Sequence, residues 1–569
     1  MTEATPQTLL QEALQKHRAG DLVGAAPLYQ QVLKLSPHHP DALHLLGFLL
    51  HQAGQSGEGL KLVDAAVAIA PLHTDFRGNQ ARILLHLGRE ADADKAFRAA
   101  LIAAPANPDA LLDLAAARRK GGQVVAATKL YARLLCLTPA DPATLLAQSG
   151  NLIDLGRHDT AGALLRKCLL LAPALIETAN SFAFLQITIR DLDLARTWFR
   201  RTLAAQPLYA APHSGLAEVC FFENDLEACL RHSERALELA PDDPQIHVRH
   251  GFRLLAAGHV REGWQEFEWR LKRADRIRRE GLPPRWRGEP LAGKHILVCA
   301  EEGVGDELLY ASMIPDLVAA GAAVVIECAP RLLSVFTRSF PGCAVHPYKR
   351  EGDRFRPVHR YDWLPKDPPI DYAIDAGSLP SILRPDVTSY EHQRPYLTAD
   401  AERVMEMRDR LAALPPGPKV GFSWRSKEVA PFRNLYYTGL SDWRALLTDP
   451  AIQVVSMQYG RGWREEIAAA QKAFGARIHV LAGVDLTDDF EDIFALGAAV
   501  DGIVCPSTTL VWVGAGLGRP VMEFGVEPHF ELMGTGRHPG FPTVRVFTKP
   551  VTHSWEAVTD AITDAVKTL

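Results

Sequence analysis

The chain has no CxxC pair and no clustered cysteines; its eight cysteines are scattered over 569 residues. That spacing argues against a zinc knuckle and against a disulfide framework. Cys136 in LLCLTP and Cys168 in RKCLLL lie in apolar runs, which reads as buried thiols in a reducing compartment. No apolar run approaches the roughly 20 residues that a bilayer requires, so no membrane span is expected. The first residues, MTEATPQTLLQEAL, lack a basic stretch followed by an apolar one, so no secretory signal is expected. Positive charge is not in excess either. The net charge is −5, which gives no bulk attraction to nucleic acid. These absences together lead us to expect a cytoplasmic protein. With 47% hydrophobic and 23% charged residues its composition is that of a globular chain, long enough for several domains.

Two ladders are present in the first half. Prolines stand at 37, 71, 105, 139, 173, 207 and 241, each 34 residues from the last. A second ladder of the same period runs Gly20, Gly54, Gly88, Gly122, Gly156, Arg190, Asn224, Gly258. Apolar residues recur at helical spacing between these marks, as at Leu43, Leu46 and Leu50. Glycine permits a tight turn between two helices and proline stops the second helix. Arg190 breaks the glycine pattern, and an altered turn is expected there. The small residues Gly47, Ala81, Ala115, Ser149, Ala183, Ala217 and Gly251 keep the same register and would let paired helices approach closely.

This pattern resembles the tetratricopeptide repeat, over about eight helix pairs. The resemblance implies an all-α solenoid over residues 1–275 with a groove for a partner. The groove positions Gln11, Leu45, Asn79, Asp113, Ala147, Ser181, Gly215 and Arg249 form no asparagine ladder. Their apolar neighbours Phe48, Leu112, Leu146, Phe184 and Phe252 are the expected acceptor-binding residues, suited to an amphipathic helix or packed between repeats.

The repeat pattern ends in RLKRADRIRREGLPPRWRGEPLAGK, from Arg270 to Lys294. Its basic run reads as a solvated or interdomain face, and residues 276–293 as a linker. Beyond it, short apolar runs alternate with helical segments: His295–Ala300, Ala323–Cys328, Tyr372–Asp375, Val420–Trp424, Val454–Gln458, Ile478–Leu481, Gly502–Cys505 and Pro520–Phe524. Such alternation predicts parallel sheets with crossover helices. We expect two Rossmann-like subdomains, 294–390 and 391–569, with ligands at the carboxyl ends of the strands.

The stretches WRGEPLAGKHILVCAEEGVGDELLYASMIPDL, VGFSWRSK, VVSMQYG and VDGIVCPSTTLVWVGAGLGRPVMEFG carry a second resemblance. It is to GT-B glycosyltransferases related to the heptosyltransferases, in particular bacterial proteins that fuse such a module to tetratricopeptide repeats. Among these are flagellin glycosyltransferases that use nonulosonic acids such as pseudaminic acid. The resemblance implies that Asp306, in EEGVGDELL, is the general base for the acceptor hydroxyl. Glu302 and Glu307 are rival bases, and the alternative for Asp306 is a helix cap. Gly303 and Gly305 would let the backbone approach the donor. Ser507, Thr508 and Thr509, at a strand-to-helix turn, would take a donor phosphate or simply cap the helix. Arg425 and Lys427 would neutralise the leaving phosphate, or form a surface charge pair; Gln458 and Tyr459 would meet the base and Glu523 the ribose. The resembled family carries Asp at position 507 and His at 512, here Ser507 and Trp512. That change favours an acidic donor sugar on CMP over UDP-N-acetylhexosamine or ADP-heptose, or it marks a scaffold without activity. A transferase acting on a lipid-linked sugar is a further alternative. Neither a metal nor another cofactor is expected.

Overall fold

The computed structural model describes residues 5–273, 276–351, 357–391, 393–426 and 433–569. Sixteen helices run in eight antiparallel pairs. The first four pairs are α1 (Pro6–Arg18) with α2 (Leu22–Leu35), α3 (Pro40–Gln52) with α4 (Ser56–Ile69), α5 (Thr74–His86) with α6 (Glu90–Ala103), and α7 (Pro108–Lys120) with α8 (Val124–Leu137). The next four are α9 (Pro142–Asp154) with α10 (His158–Leu171), α11 (Ile176–Thr188) with α12 (Leu192–Ala205), α13 (Ala210–Phe222) with α14 (Leu226–Leu239), and α15 (Pro244–Ala256) with α16 (Val260–Phe267).

All eight turns inside the pairs use a left-handed residue on the 34-residue ladder, with φ between 59 and 88°. Arg190 does not alter its turn: it adopts φ 70° and its amide donates to Ile187 O at 3.0 Å, as Gly20 donates to His17 O. A side chain in that region costs about 1–2 kcal/mol, which the neighbouring bonds of the helix end offset. The small-residue ladder acts as expected. A Cβ on Gly47 would lie 2.6 Å from Gly59 O, and one on Gly251 would lie 2.8 Å from Gly263 O.

The chain divides into two compact units, Met1–Phe182 and Ala183–Leu569. The first contains only repeats. The second begins inside α11 because its repeat helices share a core with the sheets: Phe199, Leu216 and Phe222 cluster with Trp424, Trp443 and Val526.

Eleven strands follow the repeats among the described residues: β1 (Arg278–Glu280), β2 (His295–Cys299), β3 (Ala323–Cys328), β4 (Ala344–Pro347), β5 (Val358–Arg360), β6 (Tyr372–Asp375), β7 (Lys419–Phe422), β8 (Gln453–Ser456), β9 (Gly502–Pro506), β10 (Val521–Val526) and β11 (Val544–Lys549). All their pairings are parallel. They form one sheet of order β4-β3-β2-β6, one of order β11-β10-β9-β7-β8, and the pair β1-β5. Both larger sheets are buried by crossover helices, which is why their strands read as apolar runs. Ile478–Leu481 differs from expectation: only His479 bridges to Val455, so it forms no strand. The segment expected as a linker, 276–293, is also structured. It carries β1, Arg285 bridges to Ala373, and Trp286 is buried with its indole N–H donated to Glu289 O at 2.8 Å. Among the described residues no helix is long and apolar enough to cross a membrane.

Candidate functional site

Strand β2 is apolar on both faces and ends at Cys299; the chain then turns through Glu301–Gly303 into α17 (Val304–Ala311). Gly303 is the N-cap and has ordinary extended backbone, φ −126°. Asp306 therefore stands in the first helical turn rather than at the cap, and its side chain is exposed. Its carboxylate leans over the turn: a Cβ at Gly303 would lie 3.1 Å from Asp306 Oδ2. Gly305 has a different role from the expected one. A Cβ there would lie 3.3 Å from Thr509 Oγ1 and 3.7 Å from Trp512 Cδ1, so its bareness lets α17 pack on the helix Thr509–Gly516.

That helix follows β9. Thr508 is its N-cap residue, yet its hydroxyl caps no amide and is buried without a protein partner. The first amides of a helix lack intrahelical acceptors and favour an anion. Ser507, Thr508, Thr509, Gly305 and Asp306 all line one cavity of about 470 Å³, together with Tyr459. The structure thus brings together residues that lie 200 apart in sequence.

A second cavity, of about 420 Å³, adjoins the first. Asp306, Trp512, Phe530 and Glu531 line both and form the wall between them. The second is largely apolar, with Phe252 of α15 and Trp264 of α16 in its lining. A third hollow of about 340 Å³ contains Phe184, Phe221, Phe252 and Phe530. The Phe252 and Phe530 rings are 4.7 Å apart. Phe252 and Phe530 border both this hollow and the second cavity, so aromatic rings of the late repeats reach the cavity that Asp306 lines. Phe184 lines the third hollow and Phe252 lines it and the second cavity; Phe48 on α3, Leu112 on α7 and Leu146 on α9 belong to the other unit and sit on the first helices of their pairs.

Several expected donor contacts are engaged elsewhere. Arg425 is paired with Glu466 at 2.6 Å and donates to Arg461 O at 2.8 Å, and it does not line the cavity. Gln458 is fully buried: its carbonyl accepts from Ser423 Oγ and from the amides of Trp424 and Arg425, and its amide donates to Arg425 O at 2.8 Å. It clamps the turn after β7 instead of presenting an edge to a base, although it borders a smaller hollow of about 250 Å³ that also contains Tyr459. Lys427 lies outside the described residues. Glu523 is fully buried on β10 and accepts from Ser507 Oγ, so it is not placed to take ribose hydroxyls.

Glu523 belongs to a cluster that sequence reading missed. His529 Nε2 lies 3.3 Å from Glu523 Oε1 and 3.0 Å from Ser507 Oγ, and His529 Nδ1 lies 3.8 Å from Glu531 Oε2. Burial opposes charge on His529, but the Glu523 carboxylate outweighs it and raises the imidazole to about 9. Burial likewise works against Glu523, yet the His529 charge and hydrogen bonds from His529 and Ser507 hold its carboxyl below its usual range. Burial, then the Glu523 charge, pushes Glu531 up to about 8. Among the described residues these three bring one ligand atom each to within 4.8 Å of one another, a set that could hold a divalent cation. The signal available in the sequence was position: VEPHFE follows a parallel strand at its carboxyl end, where ligands bind.

The rival bases separate cleanly. Glu302 is exposed and lines only the second cavity of the two. Glu307 is buried, accepts the Ala329 amide at 2.7 Å, and lines neither. Part of the joint's basic run is turned inward, although Arg278 stays largely exposed. Arg270 bonds Glu301 at 3.0 Å, Arg276 bonds Asp375 at 2.6 Å, and Arg279 bonds both Glu327 at 2.8 Å and Asp375 at 3.0 Å. These side chains are nearly all buried, so the run is a charge network over the carboxyl ends of β2, β3 and β6. Of the cysteines read as buried, Cys168 is, whereas Cys136 is exposed.

Residues 16–83 and 79–143 match family models described as tetratricopeptide repeat, so these repeats are present over residues 16–143. A relative is protein FlbA of Caulobacter vibrioides, 28% identical over 427 residues, covering 73% of this chain and 71% of that one. That span is longer than the repeat half and takes in part of the α/β region. Solved structures similar to the chain include a tetratricopeptide repeat protein from Parabacteroides merdae, at 15% identity and TM-score 0.37, covering 44% of this chain and 98% of that one. Another is a thermophilic TPR protein of Thermus thermophilus, at 21% identity and TM-score 0.27, covering 32% and 100%.

Proposed function

We propose that this chain is a GT-B glycosyltransferase that moves a sugar from a nucleotide to a protein selected by its repeats. The observation that carries the reading is the position of Asp306. Its exposed carboxylate stands in the wall between a cavity rimmed by a helix N-terminus and a second cavity whose Phe252 and Phe530 also border the late repeats. An acceptor hydroxyl arriving through that second cavity meets a base; a donor phosphate at Thr508–Leu510 meets helix amides. Tyr459, which lines both the donor cavity and the smaller hollow, offers a ring for the nucleobase. Repeats suit protein recognition, and flagellin is the proposed acceptor in the cytoplasm. The proposed donor is a CMP-linked nonulosonic acid, with UDP-N-acetylhexosamine and ADP-heptose as the alternatives, because Ser507 removes the carboxylate that would repel an acidic sugar.

The test is transfer to purified flagellin, read by intact-protein mass spectrometry with each nucleotide sugar in turn. Asp306→Asn should lower the rate by roughly 100- to 10,000-fold, the usual contribution of a positioned base, with the melting temperature unchanged. Transfer within a few-fold of wild type would remove Asp306 as base. The reaction is proposed to need no metal, so it should persist in EDTA; loss of activity that manganese restores would place a cation at Glu523, His529 and Glu531.

A further inference from the structure

The third hollow is built largely on α11, α13 and α15, the first helices of their pairs. Phe184, Glu218 and Phe252 in its lining stand 34 residues apart, so the repeat itself sets one acid between two aromatic rings. Arg253, also in the lining, is only 2% exposed. Its Nη2 donates to Glu218 Oε2 at 2.8 Å and to Ser214 O at 3.2 Å. Its Nη1 is buried with no hydrogen-bond partner. An unmet guanidinium N–H in an apolar wall is costly, and an incoming oxygen removes that cost.

Charge narrows what that oxygen belongs to. Among the described residues the charged members of the lining are Glu218, Arg249 and Arg253. Glu218 answers Arg253. The exposed Arg249 stands four residues before Arg253 on the same face of α15 and leaves a positive surplus. That surplus is local, since the whole chain carries −5. A carboxylate suits two guanidinium groups better than a neutral carbonyl does. Much of the remaining wall is aromatic, so the carboxylate is best delivered beside an apolar body. Phe252 and Phe530 border this hollow and the second cavity alike, so an occupant has room to continue beyond it. That favours a side-chain carboxylate within a segment over a chain end.

Resting on the reading that the late repeats hold a protein, though not on sugar transfer, we propose that this hollow reads an acidic side chain beside a large apolar one in the partner segment. The carboxylate accepts from Arg253 Nη1 and faces Arg249, and the apolar neighbour packs among Phe184, Phe221 and Phe252. Glu218 and Ser214 O hold the planar guanidinium in place through Nη2, so little freedom is lost when Nη1 finds its acceptor. Because Phe252 and Phe530 also border the cavity that Asp306 lines, the acid stands close in sequence to the hydroxyl that reaches Asp306.

The experiment titrates the full-length chain by calorimetry with three peptides: acetyl-Ala-Phe-Asp-Phe-Ala-amide, its Asn analogue, and acetyl-Ala-Phe-Ala-Phe with a free carboxyl terminus. We expect the Asp peptide to bind roughly 10-fold more tightly than the Asn peptide, the usual worth of a charge-assisted hydrogen bond. Arg249→Gln, an exposed change, should reduce that preference. Arg253→Met is made together with Glu218→Gln, so that no carboxylate is left without its partner, and this double variant should bind the two peptides equally. Equal affinity of wild type for both, or no binding of either, overturns the proposal, as does a preference that survives the double variant. Tighter binding of the free-carboxyl peptide than of the Asp peptide overturns the internal segment in favour of a chain end. Transfer to flagellin is read separately. A chain that prefers the Asp peptide yet transfers nothing loses the transferase reading alone. A chain that transfers but does not tell Asp from Asn loses this inference alone.

Discussion

Glu307 and Asp306 are neighbours in sequence and opposites in setting, separated by one residue step, about 100° of helix rotation. Glu307 points into the first subdomain, where burial raises its carboxyl to about 8. Its Oε1 has no hydrogen-bond partner. A group with a raised folded value loses stability as pH climbs from its unfolded value, near 4.3, toward the folded one. Wild-type stability should therefore fall between about pH 4 and 8, by at most ~1.4 kcal/mol per pH unit from this residue. Glu307→Gln should flatten that slope and keep transfer near wild type, as denaturant melts across pH and the mass-spectrometric assay will show. An unchanged slope, or activity lost as in Asp306→Asn, would return Glu307 to the list of bases. The turn that carries Asp306 was legible, because a Gly-Asp pair after an apolar run marks a strand end and a helix start. Sequence alone could not place Arg425 or Gln458, since their partners Glu466 and Ser423–Arg425 are fixed by tertiary contact. His529 and Glu531 were hidden for the same reason: their meaning comes from Ser507 and Asp306, many residues away.

Elements set what the site can admit. In parallel sheets the crevice beyond the strand ends normally receives the ligand. Here, over β2, β3 and β6, the joint's own arginines fill it. Arg279 is 7% exposed and reaches Glu327 and Asp375 at once. Its guanidinium, with Arg276, keeps the Asp375 carboxyl below its usual range although burial acts against it. The first sheet thus offers α17, the helix after its interior strand β2, to the cavity. Arg279→Met should leave two buried carboxylates short of a partner and cost about 3–5 kcal/mol, the usual effect of breaking a buried pair from one side. A change under 1 kcal/mol in denaturant melts would mean that the network adds little to stability. The 34-residue ladders made the repeat helices legible, because each turn needs a left-handed residue that only glycine supplies cheaply. The joint was not legible: Arg, Pro and Gly suggest a solvated linker unless one knows that acidic strand ends await them.

At the scale of the molecule, repeats and sheets are not beads on a string. A repeat solenoid needs only its neighbours for folding, which suggests that residues 1–275 are separable. The contacts argue otherwise for the late repeats. Trp264 of α16 is 4% exposed and donates to Tyr390 Oη at 3.1 Å. Phe199, Leu216, Val219 and Phe222 pack in one cluster with Trp424, Phe524 and Val526. Cutting near 275 would bare these side chains, and apolar patches beyond a few hundred Å² drive association. Residues 1–275 made alone should therefore keep a helical circular-dichroism spectrum while binding a hydrophobic dye and eluting as oligomers in size-exclusion chromatography. The full chain should do neither at the same concentration. A monomeric, dye-free fragment that still captures flagellin would show that the late repeats stand without the sheets. Acceptor choice would then reside in the solenoid alone rather than in the aromatic contact that Phe252 and Phe530 share.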